Sequence, residues 1–285
     1  MIRPLLSFDI ETVKHEKIED WVPKPEVALV EPDLDSVAAP KNYKDPEKIK
    51  EYVKQRSADL IADAEAEYAA NVVKAEEEYQ ELLDNKGPLD SDLGRIRAIG
   101  WQLYPSETPV NTFVVPEDGT EEELLEIFWK HYRMSGGKTI GFNHRRFDLP
   151  FLMRRSFDLR VPPEKVFLAK YRIDPLYDLY EILNNWEWSK GPISKGLKFL
   201  VKRYGLDNPL PDFAGDLVSE MTEMEVRAYV ANDIYIQTQL FQKMDGYYWP
   251  SLAIEHPELQ RPQEVEDYLA WLNETTDTSG TGEND

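Results

Sequence analysis

LLSFDIETV, residues 5–13, is the stretch on which the fold turns. Leu5, Leu6, Phe8 and Ile10 read as the apolar residues of a core strand. In an extended strand, residues i and i+2 point to one face, so Asp9 and Glu11 project side by side. Like charges that close repel, and each raises the pKa of the other. A divalent cation between them relieves that repulsion most simply. Taken alone, the stretch fits a strand end running into solvent equally well.

The chain has 285 residues, which suits one large domain or one domain with an insertion. Hydrophobic residues make up 41% and aromatic residues 12%, enough for a substantial core. The absence of cysteine excludes a disulfide framework, thiolate zinc sites and cysteine nucleophiles. The first residues, MIRPLLSFDIE, do not read as a signal peptide. No apolar run approaches a membrane span of roughly 20 residues. A protein without membrane contact is expected, located in the cytoplasm of a bacterial or phage-infected cell. The net charge of −21 argues globally against nucleic-acid binding. That charge is uneven. Residues 59–92 carry eleven acids against Lys74 and Lys86, whereas residues 130–172 carry eleven Lys or Arg against Asp148, Asp158 and Glu164. Salt screens distant charge within about 10 Å, so the local field governs binding at a groove.

Outward from the first strand, a Pro-rich stretch (21–43) reads as an irregular surface connection. Asp45-Pro46 starts a helix, and neither Gly nor Pro follows from Glu47 to Lys86. This predicts a single long helix or a helical hairpin broken near Asn71, stopped by Gly87-Pro88. Residues 94–104 and 111–116 read as antiparallel strands with a turn near 105–109. Residues 121–134 form an amphipathic helix with acids first and bases last. A short strand at 138–143 and a helix start near 148 follow. Residues 171–175 suggest a fifth strand, with helices at 176–186, 193–204 and 219–243. The expected organisation is an α/β domain over 1–245 with a helical insertion at 45–87, between the first and second strands. A C-terminal extension at 246–285 is expected to be disordered from about 273. The element order implies a mixed sheet with helices on both faces.

Two further acids stand in apolar settings. Asp148 lies between Phe147 and Leu149-Pro150-Phe151, and Asp233 sits on a largely apolar helix. Tyr229 precedes Asp233 by four residues and shares its helix face. A carboxylate on an apolar face is costly unless paired or metal-bound. Singly, each has an ordinary structural reading: a helix cap, an ion pair, a core tyrosine.

Together, Asp9-Ile10-Glu11, Asn143 through Phe147-Asp148, and Tyr229-x-x-x-Asp233 resemble, in order, the three motifs of the DEDD superfamily of 3′–5′ exonucleases. The resemblance is to the proofreading type found with family-B polymerases, in its tyrosine subclass. A histidine subclass would place His where Ala228 stands. The resemblance covers residues 4–12 and 94–245. KNYKDPEKI and LGRIRAIGW also resemble segments of stand-alone, phage-type members. It implies a ribonuclease-H-like fold with a five-stranded mixed sheet flanked by helices. It also implies metal-dependent hydrolysis of single-stranded or frayed DNA 3′ ends to nucleoside 5′-monophosphates.

By that resemblance, Asp9, Glu11, Asp148 and Asp233 hold two Mg²⁺ or Mn²⁺ ions. Hard oxygen ligands select such ions, and two of them suit phosphodiester hydrolysis. Asp9 would bridge the ions, Glu11 and Asp233 would complete the one that activates water, and Asp148 would hold the other. Tyr229 would orient the water, since an ordinary tyrosine pKa near 10 makes it a poor base at neutral pH. Thr12 and Asn143 are candidates for the terminal nucleotide, Arg145, Arg146, Arg154 and Arg155 for phosphates, and Lys195 and Lys198 for the groove. The substrate partner is a single-stranded DNA 3′ end, and a separate DNA polymerase or replication protein is a candidate partner for proofreading in trans. RNA 3′-end trimming, and a catalytically weak scaffold acting through the long helix, remain open alternatives. Oligomeric state is not legible.

Overall fold

The computed structural model describes residues 3–105, 109–186 and 196–279. Its contacts divide the chain into two units, Met1–His15 with Pro88–Asp285, and Glu16–Gly87. The inserted unit thus begins earlier than position 45.

The larger unit is α/β. Strands β1 (Leu5–Lys14), β2 (Gly94–Tyr104), β3 (Asn111–Val114), β4 (Thr139–Gly141) and β5 (Leu176–Asp178) form one sheet in the order β3-β2-β1-β4-β5. β3, β2 and β1 pair antiparallel, while β1, β4 and β5 pair parallel. The sheet is therefore mixed, with β1 at its centre. The turn expected near 105–109 falls partly outside the described residues, as does the start of the helix expected at 193–204.

Alternation along β1 sorts its side chains between two helical layers. Leu6, Phe8 and Ile10 pack with Leu124, Leu125 and Phe128 of α3 (Glu121–Met134) and with Leu149 and Leu152 of α4 (Asp148–Asp158). The rings of Phe8 and Phe128 lie 4.9 Å apart. The other face meets α7 (Glu223–Met244), the long helix that crosses the sheet. There Leu5 joins Leu240, Phe241 and Met244. Ser7 Oγ lies 3.1 Å from Thr238 Oγ1, and the Gln237 amide donates to Ser7 Oγ and to the Phe8 carbonyl at 3.0 Å each. Full pairing makes this buried polar ladder tolerable and fixes the register of α7 on β1.

Local chemistry sets the helix starts. Thr120 and Thr222 each form a capping box, with Glu123 and Glu225 respectively. Between α4 and α7 lie α5 (Leu179–Leu183) and α6 (Leu197–Tyr204), the latter ended by Gly205 in a left-handed conformation. The fifth strand sits at LYD rather than at 171–175. Leu176 and Tyr177 are the buried residues there, whereas Tyr171 and Arg172 are exposed. The tail also departs from expectation. Helix α8 (Gln263–Ser279) continues through residues 273–279, and its Val265 and Tyr268 pack with Leu210, Ala228 and Ile234. Residues 280–285 lie outside those described.

The unit Glu16–Gly87 consists of a short helix α1 (Ile18–Trp21), an extended stretch, and the helix α2 (Pro46–Glu81). Asp45 caps α2 by accepting the Glu47 N–H at 3.0 Å, with Pro46 in the first turn. α2 is one unbroken helix of 36 residues, about 54 Å long, with Asn71 inside it. Its alanine- and glutamate-rich middle favours helix throughout, so no hairpin forms. The Pro-rich stretch runs back along it. Tyr79 donates to the Val22 carbonyl at 3.1 Å, Lys24 pairs with Glu76, and Tyr43 meets Tyr52 edge-on. No helix among the described residues is long and apolar enough to cross a membrane.

Gly100, paired with Asp9 across β1 and β2, permits α7 to approach the sheet. A Cβ at this position would stand 3.1 Å from both Val230 Cγ2 and Ile234 Cγ1, and 3.2 Å from the Val230 carbonyl. Gly100→Val is therefore expected to destabilise the fold by about 1–3 kcal/mol through overpacking. Denaturant melts of the variant and the parent chain read this directly, and an unchanged midpoint would refute the tight seat.

Candidate metal centre

Three distant segments deliver four carboxylates. Asp9 and Glu11 leave β1, and Asp233 lies on α7 one turn after Tyr229. One carboxylate oxygen from each of Asp9, Glu11 and Asp233 lies within 4.8 Å of the others. Such an acidic cluster can hold a metal ion. Asp148 opens α4 and accepts the N–H of Ile10 at 3.1 Å, so it is tied to the strand between Asp9 and Glu11. A bulge follows at once. Glu11 pairs with Ala98 but Thr12 with Ile96, which leaves Arg97 as the extra residue.

The site is electrostatically strained. Burial, then the charges of Asp148, Glu11 and Asp233, hold the Asp9 carboxyl well above the ordinary range. Burial, then Asp233 and Asp148, do the same to Glu11. Burial lifts Asp148 to about 7 despite hydrogen bonds from its own N–H and that of Ile10. Burial also lifts Asp233 to about 7, against the opposing pull of Tyr229 and Lys198. Among the described residues, no Lys or Arg forms an ion pair with any of the four. The donor set is all oxygen and carries excess negative charge, which fits a hard divalent cation.

Burial, reinforced by Asp233, Glu11 and Asp9, pushes the Tyr229 hydroxyl far above its ordinary pKa, so it stays protonated and is a donor. A Cβ on Gly215 would stand 3.5 Å from that hydroxyl and 3.7 Å from Glu11 Oε2. The 213–217 segment thus passes beside both groups. Next to them opens a cavity of about 370 Å³, lined in part by Lys198, Asn208, Phe213 and Asn232 together with Tyr229 and Asp233. The Asn232 amide donates to Asn208 Oδ1 at 3.0 Å.

The remaining candidates divide. Lys198 lines the cavity and lowers the Asp233 pKa, so it stands at the site. Thr12 is buried just past the bulge. Asn143 adopts φ 63° and donates its N–H to Asp178 Oδ1 at 3.1 Å; its side-chain oxygen is buried without a hydrogen-bond partner. The Arg145 side chain is engaged within the protein. It is 6% exposed, donates to the carbonyls of Ala169 and Arg172, and pairs with Glu181 at 3.4 Å. Arg146 also pairs with Glu181, at 2.7 Å, but the residue is exposed. Arg155 is buried against Glu121 and Asp158, and Arg154 pairs with Asp92. Lys195 lies outside the described residues.

Asp178 is the residue that sequence reasoning missed. Wholly buried, it accepts the N–H groups of Asn143, Arg145 and Glu181 and so holds the loop leading to Asp148. The available signal was Asp178 three residues before Glu181, the spacing of an N-cap. His144, also fully buried, has its pKa lowered to about 3 by burial and remains neutral; its Nε2 lies 2.9 Å from Thr139 Oγ1. No family model matches this chain, and neither does any curated protein sequence.

The raised carboxyl pKa values fix a pH dependence. Between an unfolded value near 3.8 and a folded value of about 7, the folded Asp148 and Asp233 keep protons that the unfolded chain has lost. Stability in EDTA should therefore fall as pH rises across that window, and Mg²⁺ should restore it at pH 8. Asp233→Asn should raise the EDTA melting temperature at pH 8 by roughly 3 °C or more and abolish much of the Mg²⁺-dependent gain. Calorimetry at pH 5 and pH 8 tests both; an unaltered Mg²⁺ shift in the variant would remove Asp233 from the metal site.

Proposed function

We propose that this protein is a metal-dependent 3′–5′ exonuclease acting on single-stranded or frayed DNA ends, with a ribonuclease-H-like sheet and two Mg²⁺ or Mn²⁺ ions as cofactors. The observation that carries the reading is the convergence of Asp9, Glu11 and Asp233, with Asp148 bonded to the intervening Ile10, on the sheet face beneath α7. This is the carboxylate set that the DEDD resemblance names, drawn from three separated segments. The protonated Tyr229 beside it supports the tyrosine subclass.

Asp9, Glu11, Asp148 and Asp233 would hold the cations, which when bound supply charge stabilisation and a water of lowered pKa. Tyr229, kept as a hydroxyl, donates a hydrogen bond and so orients the attacking water rather than deprotonating it. Lys198 contributes positive charge at the cavity, where a terminal nucleotide is of suitable size. Hydrolysis adds water across the last phosphodiester, breaks the bond from phosphorus to the 3′ oxygen of the preceding nucleotide, and releases a nucleoside 5′-monophosphate. The chain left behind ends in a new 3′-hydroxyl.

A 5′-labelled single-stranded DNA and a matched RNA, incubated with Mg²⁺, Mn²⁺ or EDTA beside Asp9→Ala, test the reading. The expected result is a metal-dependent ladder shortening from the 3′ end, fastest on DNA and lower by orders of magnitude in the variant. A faster RNA ladder would redirect the assignment to RNA trimming. Absence of cleavage by the folded parent chain would overturn it.

A further inference from the structure

KVFLAKYR, residues 165–172, carries Lys165, Lys170 and Arg172 and no acid, in a chain of net charge −21. Its aromatic rings face solvent: Phe167 is 53% and Tyr171 65% exposed. Each ring has an ammonium over one face. Lys165 Nζ stands 4.9 Å from the Phe167 centroid, and Lys170 Nζ 4.8 Å from that of Tyr171. A single exposed ring is ordinary, but exposed rings interleaved with cations combine stacking faces with backbone charge contacts.

The segment is tied to the candidate site by a buried contact. Arg145 donates to the carbonyls of Ala169 and Arg172, while its own N–H is held by Asp178, which also holds Asn143. Asp148 follows Arg145 by three residues. One arginine side chain thus fixes the backbone of 169–172 to the loop that delivers Asp148. This gives Arg145 a positioning role in place of the phosphate contact expected from sequence.

We propose that residues 165–172 form a contact track for single-stranded nucleic acid, engaging nucleotides upstream of the terminal one. This rests on the exonuclease reading for its direction, not for its chemistry. A base stacks on the ring face opposite the ammonium, or on the face the lysine vacates, whatever its identity, and the lysine meets the adjoining phosphate. An acidic peptide would use the three cations but would leave the two rings without a role. The local positive charge also offsets the repulsion that a strongly acidic chain exerts on a polyanion.

The test separates the track from the chemistry. Anisotropy of a fluorescent oligodeoxythymidylate in EDTA measures binding without cleavage. Hydrolysis of the p-nitrophenyl ester of thymidine 5′-monophosphate with Mn²⁺ measures chemistry on a substrate too short to reach the track. Phe167→Ala/Tyr171→Ala should weaken oligonucleotide binding roughly tenfold or more and raise its KM in parallel, with ester hydrolysis unchanged. Lys165→Glu/Lys170→Glu should weaken binding further at low salt and flatten its salt dependence. Undiminished oligonucleotide affinity in both variants would overturn the proposal. So would displacement of the oligonucleotide by polyglutamate with equal loss of polyglutamate binding in the lysine variant alone, which would assign the surface to an acidic protein. A parent chain that binds the oligonucleotide through these residues but cleaves neither substrate would refute the exonuclease and leave the track standing.

Discussion

The mutual repulsion of four carboxylates in a largely buried space is the constraint around which the structure is organised. Left to itself, such a cluster would push β1, α4 and α7 apart. The opposing forces lie immediately beside it. Phe8 and Ile10 anchor β1 from below in the apolar layer shared with α3 and α4. Ser7, Gln237 and Thr238 bind β1 to α7 through paired polar groups, and the missing side chain at Gly100 brings α7 against the sheet. The apolar contacts are non-directional, whereas the polar ladder fixes the azimuth and axial position of α7. Position is what the site needs, because Asp233 must face Glu11 and Asp9 at ligand distance.

A second support holds the loop that ends at Asp148. Asn143 adopts a left-handed backbone conformation, one that asparagine tolerates better than most residues. The cost is offset by the buried carboxylate of Asp178, which collects three backbone N–H groups from both sides of the β4–β5 pair. Hydrogen bonds to a carboxylate favour its charged form and oppose the effect of burial on it. Rigid scaffolding of this kind, one shell behind the acids, leaves few degrees of freedom to the loop.

The elements whose signals are local were legible in the sequence. The alternation of residues 5–13 predicted the central strand, and Asp45-Pro46 marked the start of α2 to the residue. The spacing of Tyr229 and Asp233 placed both on one face of α7. What was not legible depends on partners remote in sequence. Nothing local distinguishes Arg145, which is buried against carbonyls at 169 and 172, from Arg146, its neighbour at the edge of solvent. The position of β5 follows from which residues can be buried against β4 rather than from propensity, and Leu176-Tyr177 outcompetes the more polar 171–173. From about 273 the sequence is small, polar and acidic and read as disordered, yet the helix continues to Ser279. The helix is held by Val265 and Tyr268, with Leu269 and Leu272 packed beside them, against an apolar patch of α7 and the 210 region.

The pairing of β1 with β2 is, topologically, a hairpin. Lys14 pairs with Gly94, and the His15 N–H bonds to the Leu93 carbonyl, so the loop that closes it runs from 15 to 93. Relative to a four-residue turn, closing a flexible loop of that length costs about 2.6 kcal/mol in chain entropy, and the cost grows only with the logarithm of length. The register of the two strands is therefore not dictated by a tight turn; it is imposed by the inward alternation of the strands themselves and by the helices on either face. A hairpin of this kind is a port. Segments of very different size can occupy the space between Lys14 and Gly94 at nearly equal thermodynamic expense, so the inserted unit is free to diversify in length and charge while the carboxylates three and five residues away on β1 keep their geometry.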